Sequence, residues 1–427
     1  MSGSKQTAEA NAKGETDLWD TQDVRRRPAA PAVASAPKAE AQPAKKPSSG
    51  PIPLEKSEDS GEASGLVTMM MNGPAKPRGA TWQKNSLNME FSPMSDGVMT
   101  FLKMTLPETI NTLDGAQCEK VIKNLKEGAS YQIGSQLAKG AESLLYQGSC
   151  QGYNFLVKAI RNWRDHWLGD VRTRKDVGKL NDCVSYETKT RHLSNEWAMG
   201  QQLFSEGNRI PVQMYSMRRV TRLGVELGWD LLMERINGID LAEKKLLNVM
   251  TIADKVRVCI RMAQAIGALH LKKMIHLDIK PSNFMLDRNG AIRLIDFGIS
   301  VPSGYQSRTV AGTAGYFSPE QISCKTLGED TDVFALGIAY SVLFGGKPLA
   351  QTPEEAKSRQ FRHDAIADLE KNTLSAVTDI PELNVNYRPL AEVIRACTVF
   401  RRTNRISNCA VLITKLTAAA KECGISL

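Results

Sequence analysis

Three polar side chains that could do chemistry lie at set intervals in one apolar stretch, residues 275–298. They are Asp278, Asn283 and Asp296. A carboxylate can accept the proton of a hydroxyl group, and a carboxamide with a second carboxylate can supply the oxygen ligands that Mg²⁺ prefers. Phosphoryl transfer needs this combination, because positioning and charge neutralisation lower its barrier. The stretch therefore predicts metal-assisted phosphoryl transfer; the alternative is a polar turn between two buried strands.

The same stretch resembles the catalytic loop and the Asp-Phe-Gly motif of protein kinases. Residues 276–283 match H-x-D-x-K-x-x-N and residues 296–298 match D-F-G, at the usual separation. The chain resembles the eukaryotic-type serine/threonine protein kinases from about residue 130 to its C-terminus. The resemblance implies an α+β, bilobal fold, with a small β-rich lobe followed by a larger helical lobe. It also implies ATP as a substrate and Mg²⁺ or Mn²⁺ as the metal.

Two distant pieces of the sequence support the same resemblance. Residues 312–320 resemble the G-T-x-x-Y-x-[SA]-P-E end of an activation segment, and residues 332–337 resemble the Asp-to-Gly start of a buried large-lobe helix. Such a buried aspartate must find N–H donors, which the catalytic-loop backbone supplies in kinases. Arg405 aligns with the arginine that pairs with Glu320. Their joint presence predicts a complete large lobe.

The resemblance assigns roles at the reaction centre. Asp278 would orient and deprotonate the substrate hydroxyl, and Lys280 would steady the γ-phosphoryl group. Asn283 and Asp296 would hold Mg²⁺. Thr313 matches the threonine that bridges the catalytic aspartate and lysine in serine/threonine kinases, which predicts transfer to serine or threonine hydroxyls of protein substrates.

The resemblance also assigns nucleotide-binding residues. Lys158 would contact the α- and β-phosphates, with Glu196 as its ion-pair partner. Gly140 is the one glycine kept in the loop that covers the phosphates, whose small residues would let backbone N–H groups approach phosphate oxygens. The backbones of Glu234 and Ile236 would meet the edge of the adenine ring.

The helix that carries Glu196 is predicted over residues 194–206, with Ser194 as its N-cap. Glu187 is the weaker candidate for the lysine's partner because its surroundings look less helical. Gly200, one turn after Glu196, stands where kinases pack a larger apolar residue.

Several departures from the family pattern keep other functions open. Leu277 replaces the arginine of His-Arg-Asp, which bears on control. The loop around Gly140 has lost its other glycines, Leu156 replaces a small alanine above the adenine site, and Gly200 replaces a larger apolar residue. Such changes favour a pseudokinase scaffold, whereas the kept lysine, aspartates and asparagine oppose it. A small-molecule phosphotransferase is a further alternative. Leu277 also predicts control without an activation-segment phosphate.

The composition is that of an ordinary globular protein, with 42% hydrophobic and 24% charged residues. The net charge of +9 is spread over 427 residues, which disfavours a nucleic-acid partner. Eight cysteines without a C-x-x-C pair favour free thiols in a reducing compartment over zinc or disulfides. The start of the chain lacks a secretory signal and the longest apolar run is too short for a membrane span. We therefore expect a cytoplasmic protein, with export as an effector left open.

Composition also predicts the domain organisation. The first segment is rich in Ala, Pro and Lys and too poor in apolar residues to fold, and its Pro-x-x-Pro spacings could bind a peptide-binding domain. A Met-rich extension follows, with a helix over residues 114–125, and we expect it to pack on the small lobe. Residues 161–192 read as a long polar insertion. The predicted segments are a disordered tether at 1–65, the extension at 66–128, the small lobe at 129–236 and the large lobe at 237–427.

Overall fold

A computed structural model describes most of the chain from residue 87 onward. The described residues are 87, 89–140, 142–162, 164–165, 184–204, 209–306, 308–349, 377, 380–383 and 385–427. The predicted tether and most of the predicted insertion lie outside them.

The small lobe is built on a five-stranded antiparallel sheet with the order β1-β2-β3-β5-β4. Two helices precede the sheet, and a long helix, α3, joins its third and fourth strands. The elements are α1 (Asp96–Thr105), α2 (Gly115–Lys126), β1 (Gln132–Lys139), β2 (Leu144–Cys150), β3 (Tyr153–Arg161), α3 (Tyr186–Leu203), β4 (Met214–Arg222) and β5 (Val225–Met233).

The large lobe is mainly helical and contains two small antiparallel sheets, β6-β8-β9 and β7-β10. Its elements are β6 (Gly238–Asp240), α4 (Lys244–Val249), α5 (Ile252–Leu271), β7 (Met274–Ile275), β8 (Phe284–Asp287), β9 (Ile292–Leu294), β10 (Val301–Pro302), α6 (Pro319–Ile322), α7 (Glu329–Leu343), α8 (Arg388–Cys397) and α9 (Cys409–Glu422). The α+β, bilobal prediction is confirmed. Within the described residues, no helix is long and apolar enough to cross a membrane.

Local sequence explains where the main helices begin. Thr251 caps α5 by accepting the N–H of Asp254, and the Asp254 side chain accepts the N–H of Thr251 in return. Asp114 and Gln117 form the same reciprocal cap on α2. Helix α2 matches the predicted helix over residues 114–125 within one residue at each end. Helix α7 is buried on nearly every side, so it forms the centre on which the large lobe packs.

The predicted bounds of the glutamate-bearing helix are wrong. Helix α3 begins at Tyr186, capped by Ser185, and ends at Leu203, so Ser194 lies inside it. The first two turns of α3 are polar, so the sequence pattern assigned them to the predicted insertion over residues 161–192. They are helical because tertiary packing overrides weak propensity: Lys189 and Leu193 are buried against the rest of the lobe. Glu187 is therefore helical, but it lies exposed in the first turn.

The space beside Gly200 is filled from the sheet. A Cβ atom at Gly200 would lie 2.4 Å from the sulfur of Met214 at the start of β4. Both residues are buried, and methionine suits such a gap because its side chain is flexible. The missing side chain on α3 is thus replaced by one that reaches across from β4.

Residues 89–129, which we call the strap, contact both lobes. Helix α2 packs on the small lobe, as expected, through the buried side chains of Val121 and Leu125. Helix α1 instead packs on the large lobe through Val98 and Leu102, which are fully buried. The prediction for the extension was wrong for this half, because a run of methionines gives no direction for packing.

Hydrogen bonds fasten the strap to each lobe and to the junction between them. On the large lobe, the backbone N–H and the hydroxyl of Ser95 donate to the two carboxylate oxygens of Asp254, at 2.8 and 2.6 Å. Between the lobes, the side-chain amide of Asn237 donates to the carbonyl of Pro107 at 2.9 Å. On the small lobe, the N–H of Asn154 donates to the Asn111 side chain at 2.6 Å. The strap therefore bridges the junction of the lobes.

Candidate active site

Three side chains form a closed triangle at the reaction centre. The ammonium of Lys280 donates to Asp278 Oδ2 at 2.8 Å and to the Thr313 hydroxyl at 2.6 Å. Thr313 in turn donates to Asp278 Oδ1 at 2.6 Å. The Asn283 side-chain amide donates to the Asp278 carbonyl at 2.7 Å, which leaves its carbonyl oxygen free to face elsewhere. These hydrogen bonds fix the orientation of the Asp278 carboxylate, which the sequence predicts to be the proton acceptor.

The loop carrying Asp278 is held from below by a buried carboxylate. Asp332 of α7 accepts the backbone N–H groups of His276 and Leu277, at 2.8 and 3.0 Å, as predicted. His270 also contacts Asp332 through Nε2 at 2.9 Å. Burial alone would lower the pKa of His270, but Cys409 and Asp332 raise it to about 10. This raised pKa favours a positively charged imidazole beside the buried Asp332 carboxylate.

Leu277 has a left-handed backbone, with φ at +69°. A non-glycine residue in this region costs on the order of 1–2 kcal/mol. Two hydrogen bonds maintain that conformation. The Leu277 N–H donates to Asp332, and the Leu277 carbonyl accepts from the side-chain amide of Gln321 at 3.1 Å. A strained residue thus directly precedes Asp278 in this loop.

Lys158 on β3 lies between two carboxylates. Its ammonium donates to Glu196 Oε2 at 2.6 Å and to Asp296 Oδ1 at 3.2 Å. Burial alone would lower the pKa of Lys158, but Asp296 and Glu196 raise it above its usual value. The structure thus brings together the predicted pair, and Glu196 rather than Glu187 is the partner.

The pKa values of the two carboxyl groups are shifted in opposite directions. The positive charge of Lys158 lowers the pKa of Asp296 to about 2. Burial raises the pKa of Glu196 to about 7, against the opposing charge of Lys158. The Glu196 side chain is 3% exposed and that of Asp296 is 43% exposed, so only Asp296 presents an ionised oxygen toward an open space.

Asn195 is a residue of the site that sequence reasoning missed. Its side-chain amide donates to the carbonyls of Phe297, Gly298 and Ser300, at 3.3, 3.0 and 2.8 Å. The backbone of Asp296, just before this turn, is left-handed with φ at +67°. An asparagine in a helix interior has poor helical propensity, and that was the available signal.

The loop around Gly140 lies between β1 and β2, as predicted, and is closed by the N–H of Gly140 donating to the Ser143 carbonyl at 2.8 Å. Glu142 on this loop contacts Nδ1 of His192 on α3 at 2.7 Å. Sequence reasoning missed this pair, since the two residues lie 50 positions apart. It ties the loop to the helix that carries Glu196.

At the junction of the lobes, the side chain of Glu234 is turned away from the predicted adenine site. It forms a two-pronged ion pair with Arg293, at 3.0 and 2.6 Å. The N–H of Glu234 donates to the Gln213 carbonyl at 2.8 Å. The Glu234 carbonyl is therefore the part of this residue that could meet a base, and Ile236 follows in the same extended segment.

Comparison with known proteins agrees with this arrangement. The sequence model of the protein kinase domain matches residues 185–417, more than half of the chain. The chain belongs to the protein kinase family. An Aurora kinase of Eremothecium gossypii is 40% identical over 98 residues, which cover 22% of this chain and 27% of that protein. The serine/threonine-protein kinase PknB of Mycobacterium tuberculosis is 32% identical over 182 residues, which cover 38% of this chain and 29% of PknB. The matched stretches thus span under a third of these two relatives.

In this kinase, the ion pair predicted between Glu320 and Arg405 is present and buried. The guanidinium donates to both carboxylate oxygens, at 2.7 and 3.2 Å, across 85 positions of sequence. A paired, hydrogen-bonded charge can be buried where a single one could not. The pair fastens the end of the activation segment to the base of the large lobe.

The kinase's activation segment is ordered by backbone pairing and apolar contacts. Strand β10 pairs with β7, and the N–H of Ser303 donates to the Lys273 carbonyl at 2.7 Å. Leu277 packs with Ile275 and Leu327, and Ile299 and Val301 of the segment pack against this cluster. Leucine thus contributes apolar packing where many kinases have an arginine.

The donor set of this kinase fits Mg²⁺. The ion takes oxygen ligands and is held in phosphotransferases by one or two carboxylates together with substrate phosphates. Asp296 offers an ionised carboxylate, and Asn283 offers a carboxamide oxygen because its NH₂ group is used by Asp278. No third acidic or thiol ligand is needed for such a site, and the described residues contain no cluster of three such groups.

Proposed function

We propose that the chain is a protein kinase that transfers the γ-phosphoryl group of ATP to serine or threonine hydroxyls of protein substrates, with Mg²⁺ or Mn²⁺. The observation that carries the proposal is the simultaneous order of two groups of side chains. The Asp278–Lys280–Thr313 triangle is closed, and Lys158 contacts both Glu196 and Asp296. Transfer by protein kinases needs the lysine–glutamate ion pair in place together with an aspartate positioned to accept the hydroxyl proton.

Each residue has a defined part in the proposed mechanism. Asp278 Oδ1 or Oδ2 accepts the proton of the substrate hydroxyl, and Lys280 balances charge on the group in transit. Lys158, held by Glu196, orients the α- and β-phosphates. Asn283 and Asp296 would hold the metal ion, which would supply positive charge to the phosphate oxygens.

Thr313 supports the preference for short hydroxyls. It hydrogen-bonds both Lys280 and Asp278, and we propose that this bridge narrows the approach to the carboxylate. A serine or threonine hydroxyl reaches Asp278 there, whereas a phenol arrives displaced. A displacement of about 1 Å can cost on the order of a hundredfold in rate.

The structural departures that favoured a scaffold have local compensation. Met214 fills the space beside Gly200, and Glu142 with His192 fixes the glycine-poor loop. Leu156 remains a departure without such an explanation. These contacts support the enzyme over the pseudokinase alternative.

The proposed partner is a protein with a serine or threonine acceptor, and the proposed location is a reducing compartment such as the cytoplasm. The latter is supported by the free thiols of the cysteines that the structure describes. A peptide-binding domain that recognises residues 1–65 remains a prediction from sequence.

The decisive experiment is a phosphate-transfer assay with purified protein, labelled ATP and a generic protein substrate, with and without Mg²⁺. We expect metal-dependent transfer, predominantly to serine and threonine, and a loss of orders of magnitude in Asp278→Asn and Asp296→Ala. Equal turnover by wild type and Asp296→Ala would contradict the assignment, and predominant phosphotyrosine would contradict the hydroxyl preference.

A further inference from the structure

Helix α3 touches three separate parts of the proposed nucleotide site from neighbouring turns. His192 holds the phosphate loop through Glu142, and Glu196 holds Lys158. Between them in sequence, Asn195 holds the backbone that follows Asp296. The first two contacts act on the nucleotide phosphates, whereas the third acts on the segment that carries the proposed metal ligand.

The Asn195 contact has an orientation that the chemistry fixes. Three carbonyl oxygens, from Phe297, Gly298 and Ser300, surround one end of its amide. Only an NH₂ group can face three acceptors, so the side-chain nitrogen must point at them. Two hydrogens serve three acceptors, so at least one hydrogen is shared.

The other end of the amide supports a specific role for the NH₂ group. Among the described residues, Asn195 Oδ1 is buried and makes no hydrogen bond. Leaving a buried acceptor unpaired is unfavourable, and an apolar side chain of similar size would avoid that cost. The presence of an asparagine here is thus explained by the hydrogen bonds that its side-chain nitrogen donates to backbone carbonyls within residues 297–300.

The segment it holds has a backbone that needs outside support. Asp296 adopts the left-handed region at φ +67°, which non-glycine residues leave unless surrounding contacts maintain it. The turn that follows is closed by the Ser300 N–H donating to the Phe297 carbonyl at 3.1 Å. The Asn195 amide donates hydrogen bonds to three carbonyls in this segment and so connects it to helix α3.

We propose that Asn195 is a positioning residue for the metal ligand Asp296: by fastening the carbonyls of residues 297, 298 and 300 to α3, it holds the carboxylate where a divalent cation can bind. The proposal rests on the proposed function, since it takes Asp296 as the ligand. It also couples two requirements for transfer, because Asn195 and Glu196 are adjacent. A shift of α3 would release the Lys158 pair and the metal segment together.

The test measures ADP affinity by calorimetry at a series of Mg²⁺ concentrations and in EDTA. In Asn195→Ala we expect the Mg²⁺-dependent gain in affinity to fall about tenfold, with affinity in EDTA within about twofold of wild type. Asn195→Asp should lose more than Asn195→Ala, because a carboxylate would face three carbonyls. The matched control is Gln201→Ala, since Gln201 is an amide on the same helix that donates to the Met214 carbonyl at 3.0 Å.

A second readout, amide hydrogen exchange of the metal-free protein, does not depend on activity. Residues 296–301 should exchange faster in Asn195→Ala than in wild type, and the same residues should be unchanged in Gln201→Ala. Unaltered exchange there, or an equal loss of affinity with and without Mg²⁺, would overturn the proposal. If Asn195→Ala fails to fold, Asn195→Ser replaces it, and failure of both would make the role structural.

The outcomes separate this inference from the proposed function. A wild type that binds Mg²⁺ and ADP but transfers no phosphate would contradict the function and leave the positioning role to be decided by the affinity series. A wild type that does not respond to Mg²⁺ would contradict both. Altered exchange in Asn195→Ala with an unchanged Mg²⁺ series would contradict only the positioning role.

Discussion

At the scale of single residues, Thr313 ties the general base to the lysine beside it. Its hydroxyl donates to Asp278 and accepts from Lys280, both at 2.6 Å. In Thr313→Ala both contacts are lost and the carboxylate can rotate, so we expect kcat to fall about a hundredfold with little change in KM for ATP. Steady-state kinetics on a serine peptide measures this.

Thr313→Ser is the control for the Thr313 prediction, because it keeps the hydroxyl and removes only a methyl group. It should retain activity within a few-fold of wild type. Equal losses in the serine and alanine variants would show that packing, rather than the hydrogen bonds, explains the effect.

A second residue-scale prediction concerns pH and Glu196. Because burial raises the pKa of Glu196 to about 7, its pairing with Lys158 weakens as pH falls from 8 to 6. Asp296 stays ionised throughout, since its pKa is about 2. We expect kcat/KM for ATP to decline below pH 7 in the wild type. In Glu196→Gln, kcat/KM for ATP should be lower than in the wild type at pH 8, and it should not decline below pH 7.

The free energy of unfolding should respond to Glu196 in the opposite sense. A carboxyl whose pKa is raised on folding stabilises the folded state at pH below about 4.5 and loses that contribution as pH rises through about 7. Lowering the pH from 8 to 6 should therefore stabilise the wild type relative to Glu196→Gln. Urea unfolding at the two pH values measures the difference, and an unchanged or reversed difference would exclude Glu196 as the titrating group.

At the scale of elements, backbone pairing and apolar packing hold the described part of the activation segment. Strand β10 is paired with β7, and Leu277 lies in an apolar cluster with Ile275 and Leu327. Changing Ser303, Ser307 and Thr309 together to Ala should leave transfer within a few-fold of wild type, because backbone pairing and apolar side chains order the segment. Activity assays decide this: a hundredfold loss, rescued by acidic replacements, would mean control by phosphorylation.

The complementary change tests the Leu277 cluster itself. Leu277→Ala removes buried apolar contacts and should lower the free energy of unfolding by about 2–5 kcal/mol. Chemical denaturation gives this value. A loss well under 1 kcal/mol would mean that the segment is ordered by its backbone pairing alone.

Sequence was most informative where function is local. Asp278, Asn283 and Asp296 lie within one short stretch that resembles the catalytic loop and the Asp-Phe-Gly motif of kinases, so they could be identified together. The start of α3 was missed because its first turns are polar and become helical only through packing. Contacts such as Glu142 with His192 join distant positions by side chains that have no local pattern, so the fold must be known first.

At the scale of the whole molecule, the strap should belong to the unit that folds. A chain that starts at Gly65 should keep its melting temperature and basal activity, because residues 1–64 offer little apolar surface. A chain that starts at Tyr131 should melt far lower or fail to fold, since it would expose the surfaces now covered by Val98, Leu102 and Leu125.

Calorimetry of the two shortened chains measures the effect of truncation. If the chain that starts at Tyr131 is as stable as the wild type, the strap is an accessory. A large drop for the chain that starts at Gly65 would instead show that part of the first 64 residues docks on the fold.

The contact between Ser95 and Asp254 has a consequence for folding order. The Asp254 carboxylate is completely buried and accepts hydrogen bonds from both Ser95 and Thr251. All of its hydrogen bonds at the start of α5 are therefore formed only after the strap has docked. As α1 and α5 would then share one cooperative unit, their central amides should exchange with solvent only when the whole large lobe opens. During synthesis the strap leaves the ribosome long before α5. Ser95 therefore cannot form its hydrogen bonds to Asp254 until α5 has been made.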